Sequence, residues 1–474
     1  LNPTEEPATV TIEDMRGPGD TLREVTTLML APKQSQLVKV NGSGGILPGD
    51  HALAAVGLTA RGAFRVRSDV PITAMQINPV GGGPSHVAEA SLLLPTHALG
   101  KSYFALGYPT EFGAWVVAVA LTDGTSVTTK DQDVMLDAFD AWAFQPGQDG
   151  SGYFVGADQP IALFSGDSCV LIPGDPWYAC DHLEEQVIPA AAWGTHYVGA
   201  RHPQRVPALN PSLEEVRWRL FAGVDNTTVT LQPPQPIVGG QVVLAKAGDV
   251  IEFGSTESFT ASGDQPFMLV QYMSGCYNVI KTTNSPQMCE QGATGDPYMI
   301  QVPPIEQWRS QYTVLTAPGT RDNYLGLVID SSRVQEVRVN GTAVPMASFT
   351  TVGSTPFKVA NVAVPVGTHT ILVVPVPGQM TLPGAGVTVY GFDEYVSDPA
   401  AAALPSGLTL RALVPNAITA AALCMGLTGI KFAIMGDFEK SIQAVIVAGV
   451  LDGIDGRRRR DLGVSGVVVA NTTS

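Results

Sequence analysis

Phe64-Arg-Val-Arg-Ser-Asp69-Val-Pro71-Ile-Thr-Ala-Met-Gln76 returns as Tyr153-Phe-Val-Gly-Ala-Asp158-Gln-Pro160-Ile-Ala-Leu-Phe164, and again as Phe259-Thr-Ala-Ser-Gly-Asp264-Gln-Pro266-Phe-Met-Leu-Val-Gln271. In every copy an aromatic residue lies seven positions before the proline. Apolar and β-branched residues on both sides of an Asp-x-Pro signal predict a strand, a turn and a second strand. A second block follows each copy: Pro95-x3-Leu99-Gly100-x2-Tyr103, Pro189-x3-Trp193-Gly194-x2-Tyr197 and Pro304-x3-Trp308-x3-Tyr312. A third block is a strand that enters a turn at Asp123, Asp225 and, more weakly, Asp330; these aspartates are 102 and 105 residues apart.

The chain therefore reads as about three copies of a unit of roughly 90–105 residues. Many short strands in a unit of that length fit β-sandwich modules. The expected fold is mainly β, with three β-sandwich-like units packed together and a short apolar segment, read as helical, at the C-terminal end. The expected boundaries are an N-terminal arm 1–20, units at 20–145, 146–250 and 251–398 (the last with a closing half-unit), a linker 399–411 and an apolar tail 412–474. Short loop helices are expected near 181–186 and 304–312. Trp193 and Trp308 recur at one place in the unit, which favours packing at unit junctions over carbohydrate-stacking platforms.

Composition agrees with this reading. Of 474 residues, 50 are Gly and 36 are Pro, aromatics are 7% and charged residues only 15%. That is a turn-rich β composition with a weakly charged surface. The net charge of −16 is the wrong sign for a nucleic-acid partner. The basic run Arg457–Arg460 lies in a tail that carries more basic than acidic residues. Residues 412–430 are uncharged and 441–451 are apolar, so 412–451 is a marginal membrane-crossing candidate.

Four of the five cysteines form two close pairs, Cys169 with Cys180 and Cys276 with Cys289. Neither pair has the C-x2-C spacing of a zinc or redox site. Two local disulfides and an oxidising compartment are expected; four buried thiols are the alternative. A chain that opens on Leu1 fits a processed N-terminus, and equally a sequence trimmed at its start.

Several stretches resemble one family in order. They are Cys180-Asp-His182-Leu-Glu-Glu-Gln186-Val-Ile-Pro-Ala-Ala-Ala-Trp193-Gly194, Gln271-Tyr-Met-Ser-Gly275, Gly295-Asp-Pro297, Val302-Pro-Pro-Ile-Glu-Gln307 and Val389-Tyr-Gly-Phe-Asp-Glu-Tyr395. Together with the repeat blocks they look like the IgGFc-binding protein N-terminal domain family, over residues ~20–398. That resemblance implies an exported, β-rich binding or scaffold module with no catalytic apparatus. A second, shorter resemblance covers about residues 411–460. Pro415-Asn416, Gly436-Asp437-Phe438-Glu439 and Asp452-Gly-Ile-Asp455-Gly456 look like the start of a CDP-alcohol phosphatidyltransferase. Asp452, Asp455 and Gly456 match its metal motif, but its later Gly and two later Asp have no counterpart before Ser474. It implies ancestry or fusion of that segment rather than activity.

Other chemistry is weak. His182 beside Glu184 and Glu185 reads as a residue that orients its loop. Ser165 lacks the G-x-S-x-G elbow. Asp131, Asp133 and Asp137 lack calcium-loop spacing. No catalytic, cofactor or metal residue is expected. The expected structural positions are Asp69, Pro71, Asp158, Pro160, Asp264, Pro266, Trp193 and Trp308. The expected protein is extracellular or on the cell surface, non-enzymatic, and assembles with copies of itself through exposed strand edges. A glycan or a surface protein is the alternative partner.

Overall fold

The computed structural model describes residues 1–17, 19–38, 56–78, 89–110, 113–174, 181–205, 213–275, 297–316, 320, 322–378, 383–392 and 468–472. Among these the fold is almost wholly β. The first strands are β1 (Ala8–Gly17), β2 (Thr21–Leu30), β3 (Gly57–Thr59), β4 (Phe64–Ser68), β5 (Met75–Asn78) and β6 (Glu89–Leu92). Next come β7 (Gly100–Phe104), β8 (Ala114–Ala120), β9 (Thr125–Thr129), β10 (Asp133–Leu136), β11 (Ala141–Gly147), the long β12 (Phe154–Val170) and β13 (Asp181–Gln186). The same seven-strand order returns as β14 (Gly194–Gly199), β15 (Val216–Ala222), β16 (Thr227–Gln235), β17 (Gly239–Leu244), β18 (Val250–Ser255), the long β19 (Phe259–Tyr272) and β20 (Met299–Gln301). The last set is β21 (Gln311–Thr316), β22 (Asp322–Asp330), β23 (Val334–Val339), β24 (Thr342–Ala343), β25 (Thr350–Thr351), β26 (Phe357–Val364), β27 (Gly367–Pro375) and β28 (Ala385–Phe392). β29 (Val468–Thr472) pairs in parallel with β4.

The long strand organises each unit. The N-terminal half of β12 lies between β7 and β9, and its C-terminal half between β8 and β13. β19 repeats this with β14 and β16, then β15 and β20. In the last set the role is split. β27 pairs with β21 and β23, whereas β28 pairs with β22. The hairpins β1–β2, β9–β10 and β16–β17 form the corresponding free edges, ending on β2, β10 and β17. The expected unit boundaries at 145/146 and 250/251 fall inside β11 and one residue into β18.

Alternation places the apolar residues inside. β16 reads buried at Thr227, Val229 and Leu231, and β9 at Thr125, Val127 and Thr129. One apolar cluster runs from Tyr103, Val116, Leu163 and Phe221 to Tyr272 and Met299, so it crosses from one unit into the next. Separate clusters fill the β14–β19 and β21–β28 units.

Two expectations are corrected. Asp158-Gln-Pro160 and Asp264-Gln-Pro266 are not turns; they lie inside β12 and β19. The strand stays extended and absorbs the extra residues as a register shift, between Gly156 and Ile161 in β12. This re-aims the chain from one sheet pairing to the other. Only Asp69-Val-Pro71 separates two strands, β4 and β5. The helix expected near 181–186 is also absent, and the one expected near 304–312 is a single turn. Residues 181–186 form β13, and the second stretch is a one-turn 3-10 segment, Ile305–Gln307, followed by β21. The helical reading of 412–451 lies outside the described residues, and no helix among the described residues is long and apolar enough to cross a membrane.

Candidate functional site

The repeated residues do one job in each copy. The carboxylate of Asp69 accepts a hydrogen bond from the Thr9 amide (2.8 Å), Asp158 from the Ser126 amide (2.9 Å) and Asp264 from the Thr228 amide (2.8 Å). Each aspartate thus fastens β4, β12 or β19 to its edge hairpin. The Thr9 hydrogen bonds hold the Asp69 carboxyl below its ordinary range.

The second block is a tyrosine bridge. Each block opens as a one-turn 3-10 segment, at Thr96–Ala98, Ala190–Ala192 and Ile305–Gln307. The Tyr103 hydroxyl accepts from the Gly100 amide (2.8 Å) and donates to the Ile161 carbonyl (2.6 Å). Tyr197 does the same between Gly194 (2.9 Å) and Phe267 (2.5 Å), and Tyr312 between Arg309 (2.7 Å) and Ala385 (2.6 Å). Desolvation pushes the Tyr103 hydroxyl up to about 12, so it stays a protonated donor.

The glycine of each block is set by the unit that follows. A Cβ on Gly100 would lie 2.5 Å from Pro189 Cβ, and one on Gly194 would overlap Pro304. Consecutive turns therefore stack proline on glycine. In the last copy Arg309 stands at the glycine position and is exposed. Trp193 is buried, donates Nε1–H to the Ile188 carbonyl (3.0 Å) and lies 5.6 Å from Phe104 of the preceding unit. Trp308 is half-buried and meets Phe357 edge-on at 5.9 Å.

Polar side chains also join the units. Gln186 Oε1 accepts from the Leu94 amide (2.7 Å), and Gln301 Oε1 from the Ile188 amide (2.8 Å). Each glutamine lies three residues before a block proline and reaches back to the residue just before the preceding one. The Glu89 carboxylate spans two units, accepting from the amides of Glu184 and Met299. Ser91 Oγ donates to Glu185 (3.0 Å) and Gln76 Nε2 to Glu184 (2.5 Å). Burial pushes the Glu185 carboxyl up to about 8, and burial followed by the nearby Glu185 charge raises Glu89. His182 meets Glu184 at 3.3 Å and stacks on Trp115.

Two further networks were not legible in the repeats. The buried Arg219 guanidinium lies 4.4 Å over the Tyr108 ring and bonds Glu252 (2.9 Å), Ser151 (2.7 Å) and the Gly107 carbonyl (3.2 Å). That carbonyl also accepts from Tyr272 (2.8 Å), while the Tyr108 amide donates to the buried Asp167 (3.0 Å). Burial raises Asp167 to about 7. Near the last unit, buried Arg205 grips both oxygens of Glu214 (3.0 and 3.1 Å), and His202 is ringed by Tyr298, Tyr390 and Phe392. Burial lowers His202 to about 4.

Other residues singled out in the sequence fall into structural roles. Ser165 Oγ accepts from the Leu106 amide, Asp131 from the Tyr153 hydroxyl and Asp137 from the Gly124 amide. Among the described residues no group of three His, Cys, Asp or Glu side chains is placed to hold a metal ion. Cys169 is held in a disulfide; Cys180, Cys276 and Cys289 lie outside the described residues, as do Asp452, Asp455 and Gly456.

What is left on the surface is a set of matching strand edges. Met29 on β2, Met135 on β10 and Val243 on β17 are 66%, 61% and 62% exposed. Ile237, at the β16–β17 turn, is 91% exposed. Three open edges with large apolar side chains are the candidate interaction surface.

The fold and these contacts define a class: a tandem β-repeat protein whose polar side chains join one unit to the next. The profile of the IgGFc binding protein family matches residues 89–391, and the chain belongs to that family. It is similar to the human IgGFc-binding protein, with 28% identity over 303 residues. That alignment covers 60% of this chain and 5% of the human protein's length. No solved structure matches. None of these comparisons supports the phosphatidyltransferase resemblance at 411–460.

Proposed function

We propose that the chain is an exported, non-enzymatic protein-binding module that presents the edges of β2, β10 and β17 to other proteins, copies of itself included. The observation that carries this is the repetition of one exposed, apolar-bearing edge strand in three sheets. Edge strands of soluble proteins are ordinarily blunted by charge or proline, and extended segments add to those that are not. Strand addition between copies supports the further reading of a fibre or matrix. The human relative's name gives it the Fc part of IgG as a ligand; what we carry over is protein as the class of partner. An export route accords with a disulfide at Cys169. We extend this to pairings Cys169–Cys180 and Cys276–Cys289.

Negative-stain microscopy and light scattering of detergent-free protein test the reading. Ordered assemblies are expected at high concentration, weakened by Met135→Lys with Val243→Lys. A sharp monomer at every concentration would remove self-association.

A further inference from the structure

The strand beside the long strand recurs in three units and is replaced in one. β7, β14 and β21 run antiparallel along the N-terminal half of β12, β19 and β27. β4 is the counterpart of those halves, with β1 on one side. Its other side is taken by β29, in parallel, with Val468 opposite Phe64 and Thr472 opposite Ser68. Val468-Val-Ala-Asn-Thr472 contains no aromatic residue. It therefore brings no tyrosine to bridge the unit as Tyr103, Tyr197 and Tyr312 do.

The residue after that tyrosine has a fixed place at each junction. Phe104 packs 5.5 Å from Phe154 and 5.6 Å from Trp193 of the next unit. Val198 shares a cluster with Trp308 and Val328 of the next unit. Around Val198, Trp308 and Val328 the remaining cavity is only about 10 Å³. The corresponding space at the first junction is a cavity of about 200 Å³ lined by Phe64, Arg65, Thr96, Val119, Leu121 and Phe139. The correspondence is positional. Arg65 and Phe154 both lie four residues before the repeat aspartate, and Leu121 and Val328 both lie two before the turn aspartate. Among the described residues, no side chain in the place of Phe104 or Val198 lines this cavity.

We infer that the side of β4 now paired with β29, and the cavity beside it, form an acceptor site for an extended strand of a partner protein. The strand adds antiparallel and carries a tyrosine followed by a large apolar residue, as in this chain's own Ser102-Tyr103-Phe104. By the register of β7, the tyrosine stands opposite Val66 and the apolar residue opposite Arg65, aimed at the cavity. β29 holds the slot until that strand displaces it. The inference rests on the protein-binding reading above and names one site and one ligand chemistry for it.

The test is a fluorescent peptide of sequence Leu99–Leu106 titrated onto the full chain by anisotropy. Saturable binding is expected, weakened at least tenfold when the peptide's tyrosine and phenylalanine are both alanine. Leu121→Trp, which fills the cavity, is expected to weaken it similarly. Val469→Pro with Ala470→Pro, which removes the β29 pairing, is expected to tighten it several-fold. The site is refuted if neither the native chain nor the proline variant binds saturably, or if binding ignores both the aromatic pair and Leu121→Trp. Absent peptide binding while the Met135→Lys and Val243→Lys effects persist overturns this site alone. Loss of both overturns the protein-binding reading with it.

Discussion

Replacing Tyr197 by Phe removes one oxygen and leaves the ring in place. That oxygen accepts from the Gly194 amide at 2.9 Å and donates to the Phe267 carbonyl at 2.5 Å. Tyr197 is fully buried, as is Phe267. Gly194 is half-buried, so water can reach its amide in part. An unsatisfied buried group costs about 1–3 kcal/mol. With one partner fully enclosed and the other partly hydrated, the expected loss is about 2–3 kcal/mol. Tyr103→Phe has the same geometry and the same burial, and is expected to cost the same. Tyr312 makes the same two bonds but is half-buried, so Tyr312→Phe is expected to cost about 1 kcal/mol. Denaturant unfolding gives the ranking, and amide exchange locates it, because the Gly194 amide should exchange faster in Tyr197→Phe alone. If Tyr103→Phe and Tyr197→Phe both stay within about 0.5 kcal/mol of the native chain, the bridge is not an energetic element. A larger cost at Tyr312 than at the buried pair would refute the burial argument.

Other contacts yield shorter predictions. Gly194→Ala places a Cβ on Pro304 and should cost about 1–3 kcal/mol, read as a lower denaturant midpoint. Asp264→Ala leaves the Thr228 amide at an exposed edge, so it should cost about 1 kcal/mol or less and show mainly as faster exchange in β16. Glu185 is raised to about 8 from an ordinary 4.5, so its contribution is full below about 4.5 and is lost as pH rises through 8. Thermal stability should therefore fall between about pH 5 and 8, and Glu185→Gln should flatten that slope. His202 has the opposite sense: lowered from 6.5 to about 4, it costs stability as pH falls through 4, and His202→Phe should remove that acid limb.

Much of this architecture was written in the repeats. The second block's proline, glycine and tyrosine mark the stacked turns and the hydroxyl bridge, and Trp193 was read at a unit junction, where it is buried. The Asp-x-Pro signal was misread because local propensity favours a turn, whereas pairing on both sides keeps β12 extended through Pro160. The N–H that proline lacks is no loss at a register shift. The glutamines could have been found, since Gln186 and Gln301 both lie three residues before a block proline. Glu89, Arg219 and Asp167 could not. Their partners are 95 to 210, 33 to 112 and 59 residues away, and no periodicity announces a contact between units. The place beside β4 carries no such signal, because Val468–Thr472 repeats nothing of the second block.

The long strand also bears on how the protein meets a pulling force. In two units β12 and β19 run unbroken through both pairings, so neither sheet parts without straining the backbone of the other. In the last unit that backbone is cut into β27 and β28, and the two sheets share no strand. Tension along the chain should find that unit first. It would open in two small steps while its neighbours hold.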